Sequence, residues 1–349
     1  MADLRSNFTA ARLRTFSTEV LVQAGMTPID AALVADVLVW ANLRGQDAHG
    51  VVRLPRYIHL LQSGEMNPRP NVRLWGDAIA LVALDADRAC GPIAMCRALE
   101  VAIERARGAG VGVVMVKHTT HTAALGYYTE KIALAGMAGI ALAASAPNMA
   151  YHGARAAGVS TSPISIAVPG GQHGSIVLDM GTGVVALGKL RAAKRAGKPI
   201  PEGWALDAHG NPTTDPGAAV TPLPIAGPKG SGLALMIECL TSLAVGNAIL
   251  APDIQAGGSG KHRQNAFVMA IDIARLGSLD DYRRDVDALA GAIKSLPPDA
   301  AIGEVLLPGE RGNRTQADRE KSGISMSPAV RADLADLAAR MGVQPLEEA

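Results

Sequence analysis

Between residues 79 and 180, apolar runs of strand length alternate with helical patterns, and this order constrains the fold more than any other feature. Apolar spacing predicts a helix over residues 91–107 and a second one from about residue 122. Five runs of strand length accompany them, over residues 79–84, 111–117, 137–145, 164–168 and 175–180. Strands and helices that follow one another in this way predict a mixed α/β fold.

Helical patterns also dominate the N-terminal part of the chain. Two helices are predicted over residues 9–44, and the second has a clear start, with Thr27 as N-cap, Pro28 at its first position and Asp30 in its first turn. A third is predicted over residues 51–63. The later part of the chain is predicted to form a strand over 267–271, a loop over 247–264, and helices over 184–195, 228–245, 279–296 and 329–340.

Length and charge exclude several classes of protein. A chain of 349 residues can bury a large core and is long for one domain, so two or three lobes are expected. Its 33 basic and 32 acidic residues nearly cancel, which argues against nucleic acid as the main partner. The longest apolar runs, over 137–150 and 230–246, are too short to cross a bilayer. No membrane or nucleic-acid role is therefore expected.

The cysteines and the N-terminus bear on location. Cys90, Cys96 and Cys239 form an odd set, and their spacing fits neither a zinc site nor a disulfide framework. The first residues carry charges throughout and lack the apolar segment of a signal peptide. We therefore expect a cytoplasmic protein in which all three thiols are packing residues.

The segment RGQDAHGVVR, residues 44–53, places a histidine and an arginine beside the end of the second helix. If a helix begins near Gly50, His49 and Arg53 lie on the same side, about 5 to 6 Å apart at their β-carbons. Imidazole donates and recovers protons near neutral pH, and guanidinium binds a carboxylate with two parallel bonds. The pair suits a small acid with a reactive carbon beside its carboxylate. The alternative is a helix-capping histidine and a surface ion pair.

Glycine-rich segments give weaker signals for a nucleotide. The fingerprint G-x-G-x-x-G between a strand and a helix is absent, and the glycines at 108, 110 and 112 precede a strand instead. The run of Gly260, Lys261 and His262 lacks the Ser or Thr that a phosphate loop requires. The segment PKGSG, residues 228–232, sets a lysine and glycines at a helix start, which suits either a phosphate or a plain turn. Asp179 and Thr182 suit either a ribose or amide, or a turn.

His118 and His121 are three residues apart, which raises the question of a metal. Without a nearby cysteine or carboxylate the pair is poor evidence for zinc, and no metal site is predicted.

The segments RGQDAHGVVRLPRY, HTAALGYY, STSPISIAVP, IVLDMGTGVVALGK, GKPIPEGWALDAHGNPTTDP, GPKGSGLALM and LPGE follow one another along the chain. In this order they resemble the malate/L-lactate dehydrogenase family that lacks the Rossmann fold, which also contains ureidoglycolate, sulfolactate and diketogulonate dehydrogenases and cyclic imino-acid reductases. The resemblance covers nearly the whole chain. It implies an L-sulfolactate dehydrogenase-like fold, in which a non-Rossmann sheet binds the cofactor and the N-terminal lobe is helical.

The resemblance also implies roles for individual residues. His49 would be the general acid, Arg53 would bind the substrate carboxylate, and Thr161 would contact the substrate. The cofactor, NAD or NADP, would be lined by four segments: His121, Thr122, Ala123, Ala124 and Leu125; Asp179, Met180 and Gly181; Lys229 and Gly230; and Pro308, Gly309 and Glu310. Residues 1–118 plus 297–349 would form a substrate-binding and dimerisation lobe, and 119–296 the cofactor domain. The chain would form a homodimer with a shared active site.

The resemblance thus implies hydride transfer between NAD(P) and a small 2-hydroxy acid or its 2-oxo partner. A cyclic imino-acid reductase is the alternative enzyme, because HTAAL is similar to that group's motif and the same acid and clamp would serve a C=N bond. A cofactor-binding protein with weakened turnover is the alternative from another class. It is motivated by Ala48, which stands where most relatives have a serine beside the catalytic histidine, and a methyl group cannot hydrogen-bond. Two further positions depart from the family pattern: the family's GTNP run reads Ser160, Thr161, Ser162 and Pro163 here, and Ser231 stands where an aromatic residue is often found.

Overall fold

The computed structural model describes residues 6–257 and 263–347. Gly260, Lys261 and His262 therefore lie outside the described residues. One seven-stranded sheet with helices packed against it dominates the fold. Within the described residues, no helix combines the length and the apolar character needed to cross a membrane.

Four helices from the two ends of the chain pack together: α1 Ala10–Gln23, α2 Pro28–Leu43, α3 Leu54–Gln62 and α11 Pro328–Met341. The predicted start of α2 is confirmed, since the Thr27 side-chain oxygen accepts a hydrogen bond from the Asp30 backbone N–H at 3.1 Å. Strand β1, Ser6–Phe8, pairs with β14, Ile324–Met326, in antiparallel fashion. The first and the last elements of the described chain thus lie together in one helical layer.

The large sheet has the order β2-β3-β4-β13-β5-β8-β9. Only β3 and β4 pair in parallel, and helix α4, Gly91–Ala109, connects them; all other neighbours are antiparallel. Such a mixed sheet agrees with the predicted mixed α/β class and differs from a doubly wound sheet. The strands are β2 Arg73–Trp75, β3 Leu81–Asp85, β4 Val111–Thr119, β5 Met137–Ser145, β8 Ile164–Val168, β9 Ile176–Met180 and β13 Gln264–Asp272.

The remaining elements surround this sheet. Short strands form two small sheets, from β6 Met149–Ala150 with β7 Ala157–Val159, and from β10 Ala205–Leu206, β11 Pro212–Thr213 and β12 Thr221–Pro222. The other helices are α5 Gly126–Leu134, α6 Leu187–Ala196, α7 Pro228–Glu238, α8 Leu250–Gln255, α9 Leu279–Lys294 and α10 Glu310–Ser322. A π-helical turn, Cys239–Leu243, continues α7.

The sequence located most of these elements, and the exceptions have physical causes. The helix predicted from about residue 122 begins at Gly126, because Ala123 has a φ of +57°, which no right-handed helix accommodates. The loop predicted over 247–264 contains α8, so that prediction was wrong there. Helix α10 was not predicted; it buries none of its residues and so has no apolar periodicity.

The predicted division into two lobes at residue 118 stays a prediction. Strands β3 and β4, from before the division, lie in one sheet with β5, β8, β9 and β13, from after it. The sheet therefore contains both segments.

Candidate active site

His49 and Arg53 lie on two short 3₁₀ turns, Asp47–His49 and Val51–Arg53, between α2 and α3. Asn42 of α2 holds both turns: its Oδ1 accepts from the Val51 N–H at 2.9 Å, and its Nδ2 donates to Asp47 at 2.8 Å. Gly50 allows this, because a β-carbon there would lie 2.2 Å from Asn42 Oδ1. The chain therefore turns tightly around the buried side-chain amide of Asn42, and no α-helix begins at residue 50 as was predicted.

Arg319 of α10 holds the same turn from the other side. Its Nη1 donates to Asp47 Oδ1 at 2.7 Å and its Nη2 to Oδ2 at 3.1 Å, and Nη1 also donates to the Asn42 carbonyl. Bidentate guanidinium–carboxylate pairs fix geometry as well as contributing energy. Asp47, two residues before His49, is therefore clamped between α2 and α10.

The His49 ring packs parallel to the His121 ring, with centroids 5.5 Å apart and an interplanar angle of 3°. Burial, and next the positive charge of Arg53, lower the pKa of His49 to about 4. Its Nδ1 is buried and has no hydrogen-bond partner among the described residues. With Ala48 in place of a hydroxyl donor, ring packing and the short turn are what orient this imidazole.

Tyr57 of α3 contacts His121, the histidine that stacks on His49. Its hydroxyl lies 2.8 Å from His121 Nδ1 and 3.3 Å from the His121 carbonyl oxygen. Complete burial raises the pKa of Tyr57 well above its ordinary value, so the phenol keeps its proton and donates. Tyr57 was not among the predicted site residues. It stands four residues after Arg53, the spacing of neighbours on a helix face, which is the signal that would have found it.

The Arg53 guanidinium is partly buried beside these rings. Its Nε donates to the Ala48 carbonyl oxygen at 2.6 Å. Burial is the main cause that lowers the pKa of Arg53. The nearby Tyr57 raises this pKa, and the positive charge of Arg191 lowers it. Across residues 6–257 and 263–347, no carboxylate forms an ion pair with Arg53. The predicted pair is thus adjacent, and its cation is not neutralised by the described protein.

The end of β9 brings the other predicted segments together. Asp179 Oδ2 accepts from the Gly126 backbone N–H at 3.0 Å, directly after the predicted 121–125 segment, and from Gln46 at 3.2 Å. Burial raises the pKa of Asp179, although these two donors and Arg44 favour its charged form. No described residue donates to its Oδ1. The described protein therefore holds this carboxylate by one oxygen, Oδ2.

Thr161 and Gly230 meet the residues that follow Asp179. The Thr182 N–H donates to the Thr161 carbonyl at 3.2 Å, and the Ile225 N–H donates to the Thr182 carbonyl at 2.9 Å. A β-carbon at Gly230 would lie 2.7 Å from that Thr182 oxygen, so glycine lets α7 begin against the strand end. The Thr182 hydroxyl is buried without a partner among the described residues. This leaves one buried polar atom without a described partner three residues after Asp179.

The segment of Pro308, Gly309 and Glu310 lies along the same strand. The Pro308 carbonyl accepts from the Val177 N–H at 3.3 Å, and the Gly309 carbonyl accepts from Arg44 at 3.2 Å. Glu310 turns away into an ion pair with Lys294 at 2.7 Å, which with further bonds lowers its pKa to about 2. The backbone of this segment therefore lies against β9 and Arg44, whereas the Glu310 carboxylate is engaged with Lys294.

The other predicted residues differ in exposure. Thr122, Ala123, Ala124 and Leu125 are buried, Met180 and His121 are partly buried, and Gly181 and Lys229 are exposed. His118 pairs with Asp85 at 3.1 Å on the surface, apart from His121. In the described ranges, no three His, Cys, Asp or Glu residues are grouped closely enough to hold a metal ion.

Sequence reasoning missed Asn42, Arg44 and Arg319 as well as Tyr57. Arg44 is buried against Trp40 and ties Glu130, Asn313 and the Gly309 carbonyl together. An arginine is rarely buried unless it is paired with other groups. The sequence signal that pointed to Arg44 was therefore its position at the end of an apolar helix. For Arg319 no such cue exists, since its partner Asp47 is 272 residues away in the chain.

Comparison with known proteins gives consistent matches. A family model described as malate/L-lactate dehydrogenase matches residues 8–335. Malate dehydrogenase of Pyrococcus horikoshii is 34% identical over 348 residues, with 96% of this chain and 95% of that protein covered. Sulfolactate dehydrogenase from Methanocaldococcus jannaschii superposes with a TM-score of 0.86 at 32% identity, covering 98% of each chain. The structure of Δ1-piperideine-2-carboxylate reductase from Pseudomonas syringae pvar. tomato gives a TM-score of 0.83 at 26% identity, covering 95% of this chain and 99% of that one. The predicted L-sulfolactate dehydrogenase-like fold is therefore confirmed.

Proposed function

This chain belongs to the malate/L-lactate dehydrogenase family, and we propose that it transfers a hydride between NAD or NADP and a small 2-hydroxy acid or its 2-oxo partner. The observation that carries the proposal is the partly buried His49 imidazole beside an Arg53 guanidinium that no described carboxylate neutralises. A substrate carboxylate would supply that missing charge. The reactive carbon next to it would then lie close to His49.

In this proposal each residue has one task. Arg53 binds the carboxylate and fixes the orientation of the substrate. His49 donates a proton to the substrate oxygen in reduction and removes it in oxidation. A bound nicotinamide supplies or accepts the hydride. Thr161, whose backbone adjoins Gly181 and Thr182, contacts the substrate from the β9 side.

The end of β9 supports the proposed cofactor site. The Asp179 oxygen that no described residue binds is an acceptor of the kind that holds a ribose hydroxyl or a carboxamide. The segments at 121–125, 229–230 and 308–310 all adjoin this strand or the residues just after it. Lys229, exposed at the start of α7, would meet the cofactor phosphates.

Reduction of a cyclic imino acid is the second candidate reaction. It is favoured by the likeness to the Δ1-piperideine-2-carboxylate reductase and by the HTAAL segment at 121–125. The same proton donor and carboxylate clamp would serve a C=N bond. A cofactor binder with weakened turnover remains the candidate from another class, because Ala48 provides no hydroxyl to His49.

We further propose a homodimer with a shared active site. Leu233, Met236, Leu240 and Leu243 follow one another at helical spacing along α7 and its π-helical turn, and they are 36%, 53%, 49% and 51% exposed. The opposite face, with Ala234 and Ile237, is buried. A contiguous exposed apolar face of this kind marks a protein interface, and it begins four residues after Lys229.

The free thiols of Cys90, Cys96 and Cys239 support the proposed cytoplasmic location.

Consumption of NADH or NADPH with a panel of 2-oxo acids and cyclic imines, followed by nicotinamide absorbance, tests the proposed reaction. His49→Ala should lower the rate by about 10² to 10⁴-fold and keep cofactor affinity, whereas His59→Ala, at an exposed position of α3, should not. Arg53→Ala should chiefly raise KM, with Arg56→Ala as its exposed control. Near-normal turnover of His49→Ala removes its assigned role. Cofactor binding without consumption of any substrate favours the binder.

A further inference from the structure

Strand β4 is irregular at the end that leads into the 121–125 segment. Where β13 advances by two residues, β4 advances by three, from 116 to 119, so β4 contains a β-bulge there. His118, inside the bulge, has a φ of +55°, and Ala123 has a φ of +57°. Non-glycine residues keep such left-handed backbone only where the surrounding structure holds them. The contacts around this segment therefore have to hold two strained positions.

Two neighbouring side-chain amides of β13 provide those contacts. Asn265 Oδ1 accepts a hydrogen bond from the His118 backbone N–H at 3.2 Å. Gln264 Oε1 accepts one from the Thr122 backbone N–H at 3.1 Å, and Thr122 immediately precedes Ala123. Each strained position thus has a side-chain acceptor on its own N–H or on that of its neighbour.

The Asn265 amide is fully buried and held in one orientation. Its Nδ2 donates to Ser242 Oγ at 2.9 Å and to the Asn247 carbonyl oxygen at 2.8 Å. Both amide hydrogens are therefore in use on that side, and the amide oxygen faces His118. If the amide were turned over, its N–H groups would face the His118 N–H, and neither donor would have an acceptor there.

Glu238 fixes the direction of these hydrogen bonds. Its buried carboxylate accepts from the backbone N–H groups of Ile249 and Leu250 at 2.9 and 3.0 Å, and from the Ser242 hydroxyl at 2.7 Å. Because the Ser242 proton is directed at Glu238, the Ser242 oxygen accepts from Asn265. Ser242 lies on the π-helical turn that continues α7, and such turns are frequent at functional sites. A chain of hydrogen bonds therefore runs from the end of α7 to β4.

We propose that Gln264 and Asn265 are positioning residues for the cofactor. They hold residues 118–123 in the left-handed conformations that place the 121–125 segment against the dinucleotide, and Glu238 fixes the direction of the Asn265 amide. This inference rests on the proposed function, which assigns that segment to the cofactor. Neither amide takes part in hydride or proton transfer, so their effect on the reaction is an effect on cofactor affinity.

Substitutions of Gln264, which is only partly buried, test the assignment. Gln264→Met keeps the length of the side chain and removes the acceptor, so it should weaken binding of NADH or NADPH about 3- to 10-fold, the effect of losing one hydrogen bond. Gln264→Glu keeps an acceptor oxygen and should stay within about twofold of the wild type. At saturating cofactor, kcat and the KM for a 2-oxo acid should be unchanged in both variants. Gln172→Met, at an exposed position between β8 and β9, is the matched control.

Glu238→Gln tests the chain of hydrogen bonds from a distance. The amide that replaces the carboxylate must still accept from the N–H groups at 249 and 250, so it presents a donor to Ser242. The direction of the Ser242 and Asn265 bonds is then no longer fixed, and cofactor binding should weaken about 2- to 5-fold. Unchanged affinity would remove Glu238 from the assignment.

Fluorescence titration with NADH and NADPH, together with amide hydrogen exchange at Thr122, measures these effects. Exchange at Thr122 should be about tenfold faster or more in Gln264→Met than in the wild type, and unchanged in Gln264→Glu. A wild type that binds neither dinucleotide overturns the proposed function and this inference with it. A wild type that binds one of them no more tightly than Gln264→Met overturns this inference alone. Equal losses in Gln264→Met and Gln264→Glu also overturn it, because the acceptor oxygen would then have no role.

Discussion

At the scale of the residue, the charge state of His49 decides which direction of the proposed reaction the free protein is prepared for. Burial and the neighbouring Arg53 hold its pKa near about 4, so the imidazole of the free protein is neutral at physiological pH. Neutral imidazole is the form that removes a proton during oxidation. A bound carboxylate would offset the Arg53 charge and raise the pKa of His49 again, which favours the protonated form that reduction needs.

The pH dependence of the two directions should therefore differ. The protonated fraction of free His49 falls about tenfold for each pH unit above its pKa, so kcat/KM for reduction should fall about tenfold per unit from about pH 6 to about pH 8. For oxidation, the titration of His49 should leave kcat/KM unchanged over that range, because His49 is already neutral there. Initial-rate profiles in both directions measure this, with Arg53→Gln expected to raise the pKa of His49. A free-protein His49 pKa at or above its ordinary value of about 6.5, observed by NMR titration, would contradict the argument.

At the scale of the element, α10 links the proposed cofactor segment to the turn that carries His49. It begins at Glu310, directly after Pro308 and Gly309, and its Arg319 grips Asp47 two residues before His49. Arg319 is a positioning residue, because its contacts are with Asp47 and Asn42 and not with the rings.

Arg319→Gln should lower kcat about tenfold. The substitution removes two charge-assisted bonds to Asp47, and a loss of about 1.4 kcal/mol in the alignment of His49 corresponds to that factor. Arg311→Gln, an exposed position on the same helix, is the matched control and should have kcat within about twofold of the wild type. Steady-state kinetics together with thermal unfolding measure the effect. A fall in Tm with unchanged kcat would show that the clamp serves stability alone.

The two glycines inside the PKGSG segment make a sharp comparison within one helix. A β-carbon at Gly230 would lie 2.4 Å from the Ile225 carbonyl oxygen, whereas one at Gly232 would meet nothing within 4 Å. Gly230→Ala should therefore cost about 1 to 3 kcal/mol and weaken cofactor binding by displacing the start of α7 from Thr182. Gly232→Ala should stabilise the protein by about 0.5 to 1 kcal/mol. Denaturant unfolding and NADH titration of both variants measure this, and equal behaviour would contradict the described contact.

What the sequence revealed depended on whether an element has an apolar face. Helix α2 was located with its cap because it is buried and its start signals are local. Helix α10 was missed because its residues, ERGNRTQADREKS, are polar all round, and its position is set by ion pairs with distant residues. In the site, His49 and Arg53 could be paired from their spacing. The Asn42 amide and the Arg319 clamp could not, since each depends on a tertiary contact.

At the scale of the whole molecule, the site exists only where distant segments meet. The turn at 47–53, the 121–126 segment, the end of β9 and the start of α10 converge, although they are spread over most of the chain. Strand β13 lies between β4 and β5 in the sheet, so late residues separate two early strands. Local patterns predict each segment, but the convergence follows from the topology.

The apolar face on α7 and its π-helical turn gives the last prediction. Wild-type protein should run in size-exclusion chromatography with light scattering as two chains of 35.9 kDa, because that face must be covered from water. Met236→Glu with Leu240→Glu should give a monomer, since burying two carboxylates without partners is costly. Leu276→Glu, at a residue 83% exposed elsewhere, should keep the dimer. If the active site is shared, the monomer should also lose most of its turnover. A fully active monomer would contradict the shared site, and a monomeric wild type would contradict the dimer itself.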